Sequence, residues 1–78
     1  MMIGYLLLAD ELNAQIKEKK LDAKIYVWTN RLDRKLHGVE LYINGKFEDI
    51  AENIGRNKMK PAVRKAYERA LEAARVEK

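Results

Sequence analysis

The chain has no cysteine and no serine, and only one threonine, one histidine and one proline among its 78 residues. Without cysteine there can be no disulfide, no thiolate nucleophile and no cysteine-ligated zinc, so one small core must hold the fold unless a partner helps. The cytoplasm is the simplest compartment for such a chain. Group-transfer catalysis needs a nucleophile with a poised acid and base in one pocket. Here His37 stands alone, with no second histidine at ligand spacing, and reads as structural or as a surface residue. Asp10/Glu11 and Glu48/Asp49/Glu52 read as solvent-facing carboxylates or complements to helix N-termini, not as metal ligands. The four glycines, Gly4, Gly38, Gly45 and Gly55, are too far apart for a phosphate-cradling loop. A non-enzymatic chain without metal or cofactor is expected. The longest apolar run, residues 1–9, is under half the roughly 20 residues a membrane span needs and has no basic segment before it. It reads as core, or as a homodimer contact through residues 1–8, and no membrane is expected as a partner.

What the chain has is charge, unevenly laid out. The net +4 divides into −1 over residues 1–23, +3 over 24–46, −3 over 47–55 and +5 over 56–78. Basic charge concentrated in two stretches favours a polyanionic or acidic partner, drawn by attraction that salt weakens. The other reading is an ordinary solvated surface.

Hydrophobic spacing gives the organisation of a single domain, 1–78. Over residues 4–20, Tyr5, Leu8, Ala9, Leu12 and Ile16 follow helical spacing, with Asn13, Lys17 and Lys20 turned away. A strand over residues 3–8 with a helix starting at Asp10 competes, and leucine richness favours the helix. Residues 24–29 and 38–44 are rich in β-branched and aromatic side chains and read as a hairpin. One face would carry Ala23, Ile25, Val27, Val39, Leu41 and Ile43, the other Lys24, Tyr26, Trp28, Glu40, Tyr42 and Asn44. Asn44-Gly45 marks a tight turn. In residues 47–54 the apolar positions fall at i, i+3, i+4 and i+7, the period of a short helix stopped by Gly55, while the preceding Asn-Gly favours a third strand. Pro61 suits a first helical turn, and a helix over 61–76 would bury Ala62, Val63, Ala66, Tyr67, Ala70, Leu71 and Ala74. Its outer face would pair Arg64 with Glu68 and Glu72 with Arg75. The expected class is α+β: an antiparallel sheet of two to three strands on N- and C-terminal helices, in the order α-β-β-(β or short α)-α.

Two groups of residues are binding candidates. Arg56, Lys58, Lys60, Arg64 and Lys65 cluster where a loop enters a helix, whose free N–H groups and dipole favour a phosphate. Arg31, Arg34 and Lys35 in the hairpin connection can add to them. Tyr26, Trp28 and Tyr42 can stack unpaired bases, lie under a helix, or anchor a protein interface.

The segment Val39-Glu40-Leu41-Tyr42-Ile43-Asn44-Gly45-Lys46 is similar to the second strand and turn of the double-stranded-RNA-binding domain family. Gly55-Arg56-Asn57-Lys58 followed by Ala62, Ala66, Ala70 and Leu71 resembles that family's final loop and helix, and with the leading helix and the strands ending in a Gly turn the likeness would span about residues 4–74. It implies RNA, more than DNA, as partner, with Lys58, Lys60 and Arg64 corresponding to the lysine cluster that spans phosphates across the major groove. The chain departs from the pattern where the family's loop histidine would fall near Asp33, where Met59 splits the paired lysines and Pro61 follows, and where residues 47–55 outnumber a short third strand. The alternative function is a small protein-binding regulator or inhibitor, of the size common in phage and mobile elements, using the aromatic sheet face.

Overall fold

The computed structural model describes residues 4–76; residues 1–3, which form part of the expected homodimer contact, and 77–78 lie outside it. The elements are α1 (Gly4–Glu18), β1 (Ala23–Thr29), β2 (His37–Ile43), β3 (Lys46–Ile54), a 3-10 turn (Arg56–Lys58) and α2 (Met59–Val76). The class is α+β, and the three antiparallel strands lie in the order β1-β2-β3.

Helix α1 buries Tyr5, Ala9, Leu12 and Ile16, a helical stripe that leaves no strand over the described part of residues 3–8. It ends with Lys20 in the left-handed region at φ 59. The Lys20 and Leu21 amides donate to the Lys17 and Ile16 carbonyls at 3.0 and 3.1 Å, and Leu21 packs on the core. This closes the helix as a Schellman motif does. Asn13 is not turned away as its spacing suggested. Its side-chain amide donates to the Ile25 carbonyl at 2.9 Å, and its Oδ1 accepts from the Ile25 N–H at 2.7 Å. Both outward backbone groups of Ile25 on the edge strand β1 are thereby satisfied by one side chain.

The hairpin faces fall as the alternation requires. Ile25 pairs with Leu41 and Val27 with Val39, and Ile25, Val39, Leu41 and Ile43 are buried. Asn44 at φ 50 and Gly45 at φ 83 form the two-residue turn whose twist suits adjacent antiparallel strands.

That turn leads into a third strand, and the helical period of residues 47–54 has a different cause. Glu40 pairs with Asp49 but Val39 with Ala51, so Ile50 is an extra residue; a second extra residue enters before Ile54 meets His37. Each such bulge shifts which side chains face inward. Ile50, Ala51 and Ile54 consequently all pack on the core, whereas Phe47, opposite Tyr42, lies on the other face. Gly55 does not stop a helix; it precedes the 3-10 turn.

Both helices cover the same sheet face, where Met59, Ala62, Val63, Ala66 and Ala70 of α2 meet the α1 stripe and the hairpin aliphatics. Alanine side chains let α2 approach closely. The helix begins two residues before the expected Pro61 because Met59 is fully buried and belongs to the core. Pro61 remains in the first turn, where its missing N–H leaves no helical bond unmade. Arg69 turns toward β3 and pairs with Glu48 at 3.2 Å, the ion pair found among the described residues.

Candidate nucleic-acid interface

Two connections and the start of α1 meet at one end of the molecule. In the loop over residues 30–36, Asn30 Oδ1 accepts from the Leu32 and Asp33 amides at 2.8 and 3.2 Å, and the Asp33 carboxylate accepts from the Lys35 amide at 3.0 Å. The Asn30 amide donates to the Leu36 carbonyl and the Leu36 amide to the Asp33 carbonyl. These bonds fold the loop on itself. Asn30 Nδ2 also donates to Asn53 Oδ1 at 2.9 Å, which ties the loop to the end of β3, where Asn53 holds φ 52. Three residues after Asn53 the chain enters the basic turn at Arg56.

His37 joins the start of α1 to the same end. Its ring is buried with the Tyr5 ring at 5.5 Å between centroids. The Thr29 and Tyr5 hydroxyls lie 3.0 and 3.4 Å from its Nδ1. A polar ring buried among hydroxyls is a satisfied core group, in keeping with its structural reading.

Around these joints the cations point outward. Arg31, Arg34, Lys35, Arg56, Lys58, Lys60, Arg64 and Lys65 are all exposed. Met59 separates Lys58 and Lys60 because it faces the core, so both lysines are free to face solvent. A cleft of about 650 Å³ is lined by Gly4, Tyr5, Arg56, Asn57 and Lys60, and a smaller hollow of about 220 Å³ beside it by Gly4, Leu7, Leu8, Glu11, Lys60 and Arg64. The Lys60 stem lies against the start of α1, since a Cβ on Gly4 would sit 2.9 Å from Lys60 Cε. The starts of both helices therefore flank one cleft, and neither has an acidic residue in its first turn. The positive dipole ends of the two helices add there to the side-chain cations. The structure thus brings Arg31, Arg34 and Lys35 to the same end as Arg56, Lys58, Lys60 and Arg64. Lys65 sits on the flank of α2, and it does not line the cleft.

The aromatic residues lie elsewhere, on the sheet face opposite the helices. Tyr26 is 39% exposed and Phe47 66% exposed, with Trp28 and Tyr42 half-buried. Phe47 stands 5.9 Å from the Tyr26 ring and 5.4 Å from the Tyr42 ring. Its place was hidden by the helical period, although counting back across Asn44-Gly45 sets it opposite Tyr42. Trp28 pairs with Gly38, and a Cβ at Gly38 would lie 2.1 Å from the indole, so the ring covers the glycine backbone. The same face carries Glu40 directly opposite Asp49. Two carboxylates among the rings repel a phosphate backbone, so the candidate interface for nucleic acid is the basic end alone.

No protein-family model, curated protein or solved structure matches the chain. Among the described residues no helix is long and apolar enough to cross a membrane.

Proposed function

We propose that the chain is a small non-enzymatic module that binds structured RNA by its phosphates. Arg56, Lys58, Lys60 and Arg64 form the anchor at the helix starts, Arg31, Arg34 and Lys35 extend it along the nucleic acid, and Lys65 adds charge on the flank. The observation that carries this reading is the joining of two separate basic segments at one end through the Asn30–Asn53 hydrogen bond. Charges held on a folded framework meet a regular row of phosphates without first being ordered, so less conformational entropy is lost on binding. Release of counterions from the phosphates supplies the affinity. Preference for RNA over DNA follows from the resemblance to the double-stranded-RNA-binding family. A third strand stands where that family carries one, and Lys58, Lys60 and Arg64 are exposed where its lysine cluster would lie.

Anisotropy of a labelled RNA duplex, a DNA duplex of the same sequence and a single-stranded RNA tests the reading. The RNA duplex should bind most tightly, with little dependence on sequence. Lys58→Glu, Lys60→Glu and Arg64→Glu together should abolish binding while the circular dichroism spectrum stays unchanged. Absence of binding to all three probes, or equal binding by the triple variant, would overturn it.

A further inference from the structure

We infer that the open face of the sheet is a docking site for a cationic segment of another protein, which places Lys or Arg side chains between the aromatic rings and the Glu40/Asp49 pair. This stands independently of what the basic end binds.

The face has the makings of an interface core. Tyr26, Tyr42 and Phe47 form an aromatic cluster, with Trp28 on the same face, that neither helix covers, and aromatic residues are the side chains most enriched at protein contacts. At its centre, Tyr26, Glu40 and Asp49 form one cross-strand row. Like charges placed directly opposite destabilise a sheet. Among the described residues, neither carboxylate has a hydrogen-bond or ion-pair partner. An incoming cation would relieve that repulsion while stacking on the rings. The face already holds one such contact, with Lys24 Nζ 5.3 Å from the centroid of the Tyr26 ring.

The edges of the sheet argue for docking on its face. Asn13 occupies the outward backbone groups of Ile25 on β1, and two bulges interrupt the ladder along β3. Both devices hinder an added strand. A second copy of this chain is a poor occupant, because each copy would bring only Lys24 against Glu40 and Asp49, leaving one carboxylate of each face without a counter-charge. A polyanion is repelled by the same carboxylates. What fits is a basic segment from a different protein.

The test uses the full chain and a labelled peptide of alternating arginine and valine, with emission from Trp28, the chain's one tryptophan, as a second readout. The peptide should bind and shift that emission. Glu40→Gln with Asp49→Asn should weaken binding roughly threefold to tenfold, the loss expected for two partly exposed ion pairs. Phe47→Ala should weaken it further, and the Lys58/Lys60/Arg64 charge reversal should leave it equal or tighter. The charge-neutral variant alters only surface groups and keeps the test valid should Phe47→Ala unfold. No peptide binding, or equal binding by the charge-neutral variant, would overturn the inference. So would a dimer in sedimentation that this variant dissolves, or quenching of Trp28 by a single-stranded oligonucleotide that Phe47→Ala removes.

Discussion

Substituting Gly38 by alanine adds one methyl group, and the structure sets that methyl in direct conflict with Trp28. The new Cβ would lie 2.1 Å from indole Cε2 and Cζ2 and 2.5 Å from Nε1, whereas carbon atoms in contact settle at about 3.5–4.0 Å. The indole must slide by more than roughly an ångström or rotate off the sheet. Gly38 does not occupy the left-handed region, so alanine brings no backbone strain there, and restricting the unfolded chain should contribute about 0.4–1 kcal/mol of stability. Against that stands the packing that one face of the indole gives up as the ring moves. If on the order of 60–100 Å² of apolar surface returns to water, the cost is about 1.5–2.5 kcal/mol. The net expectation is a destabilisation of about 0.5–2 kcal/mol in urea unfolding, with Trp28 emission moving to longer wavelength. In a Trp28→Ala background the conflict disappears, and Gly38→Ala should become neutral or stabilising. An equal destabilisation in both backgrounds, or an unchanged emission maximum, would refute the placement of the ring over the glycine.

Three further predictions concern what holds the framework. Asn13→Ala should lower stability by about 1–3 kcal/mol, because the Ile25 N–H and carbonyl lose their partners; urea midpoints within experimental error of the parent would show the clamp to be idle. Arg69→Met should destabilise more than the Arg69→Met/Glu48→Met pair. Glu48 Oε2 is already buried without a partner, and removing the guanidinium leaves the whole carboxylate unpaired; equal midpoints for the two variants would contradict this. Lys20→Gly should raise stability by about 0.5–1 kcal/mol by removing a side chain from a left-handed position, and a lower thermal midpoint would count against the helix end described here.

The parts of this fold that could be read from the sequence are those where one period dominates. Tyr5, Ala9, Leu12 and Ile16 repeat every three to four residues, and Ile25, Val39, Leu41 and Ile43 alternate cleanly, so α1 and both hairpin faces follow directly. Strand β3 did not, because its two bulges convert an alternating strand into inward residues at Ile50, Ala51 and Ile54, which mimic a helical stripe. Tertiary register, set by Asn44-Gly45, outweighed the local period. Asn13 was equally hidden, since a polar residue on a helix flank gives no sign that it will pair with an edge strand. Met59 looked like an interruption in a basic loop until its burial explained why the lysines on either side of it point outward. For the candidate site, all eight cations could be named from their charge, but the convergence of seven of them, Lys65 excepted, could not. It depends on Asn30 reaching Asn53 and on Lys60 lying against Gly4, pairings between residues distant in sequence.

Salt dependence of binding to an RNA duplex tests the central proposal most directly. With roughly four to six phosphates contacted, the logarithm of the association constant should fall with the logarithm of salt concentration with a slope of about −3.5 to −5.5, taking about 0.9 per contact. Neutralising Lys58, Lys60 and Arg64 to glutamine should make that slope shallower by about 2–3. A slope near zero, or one that these three substitutions leave unchanged, would contradict the assignment of the basic end as a phosphate-binding surface.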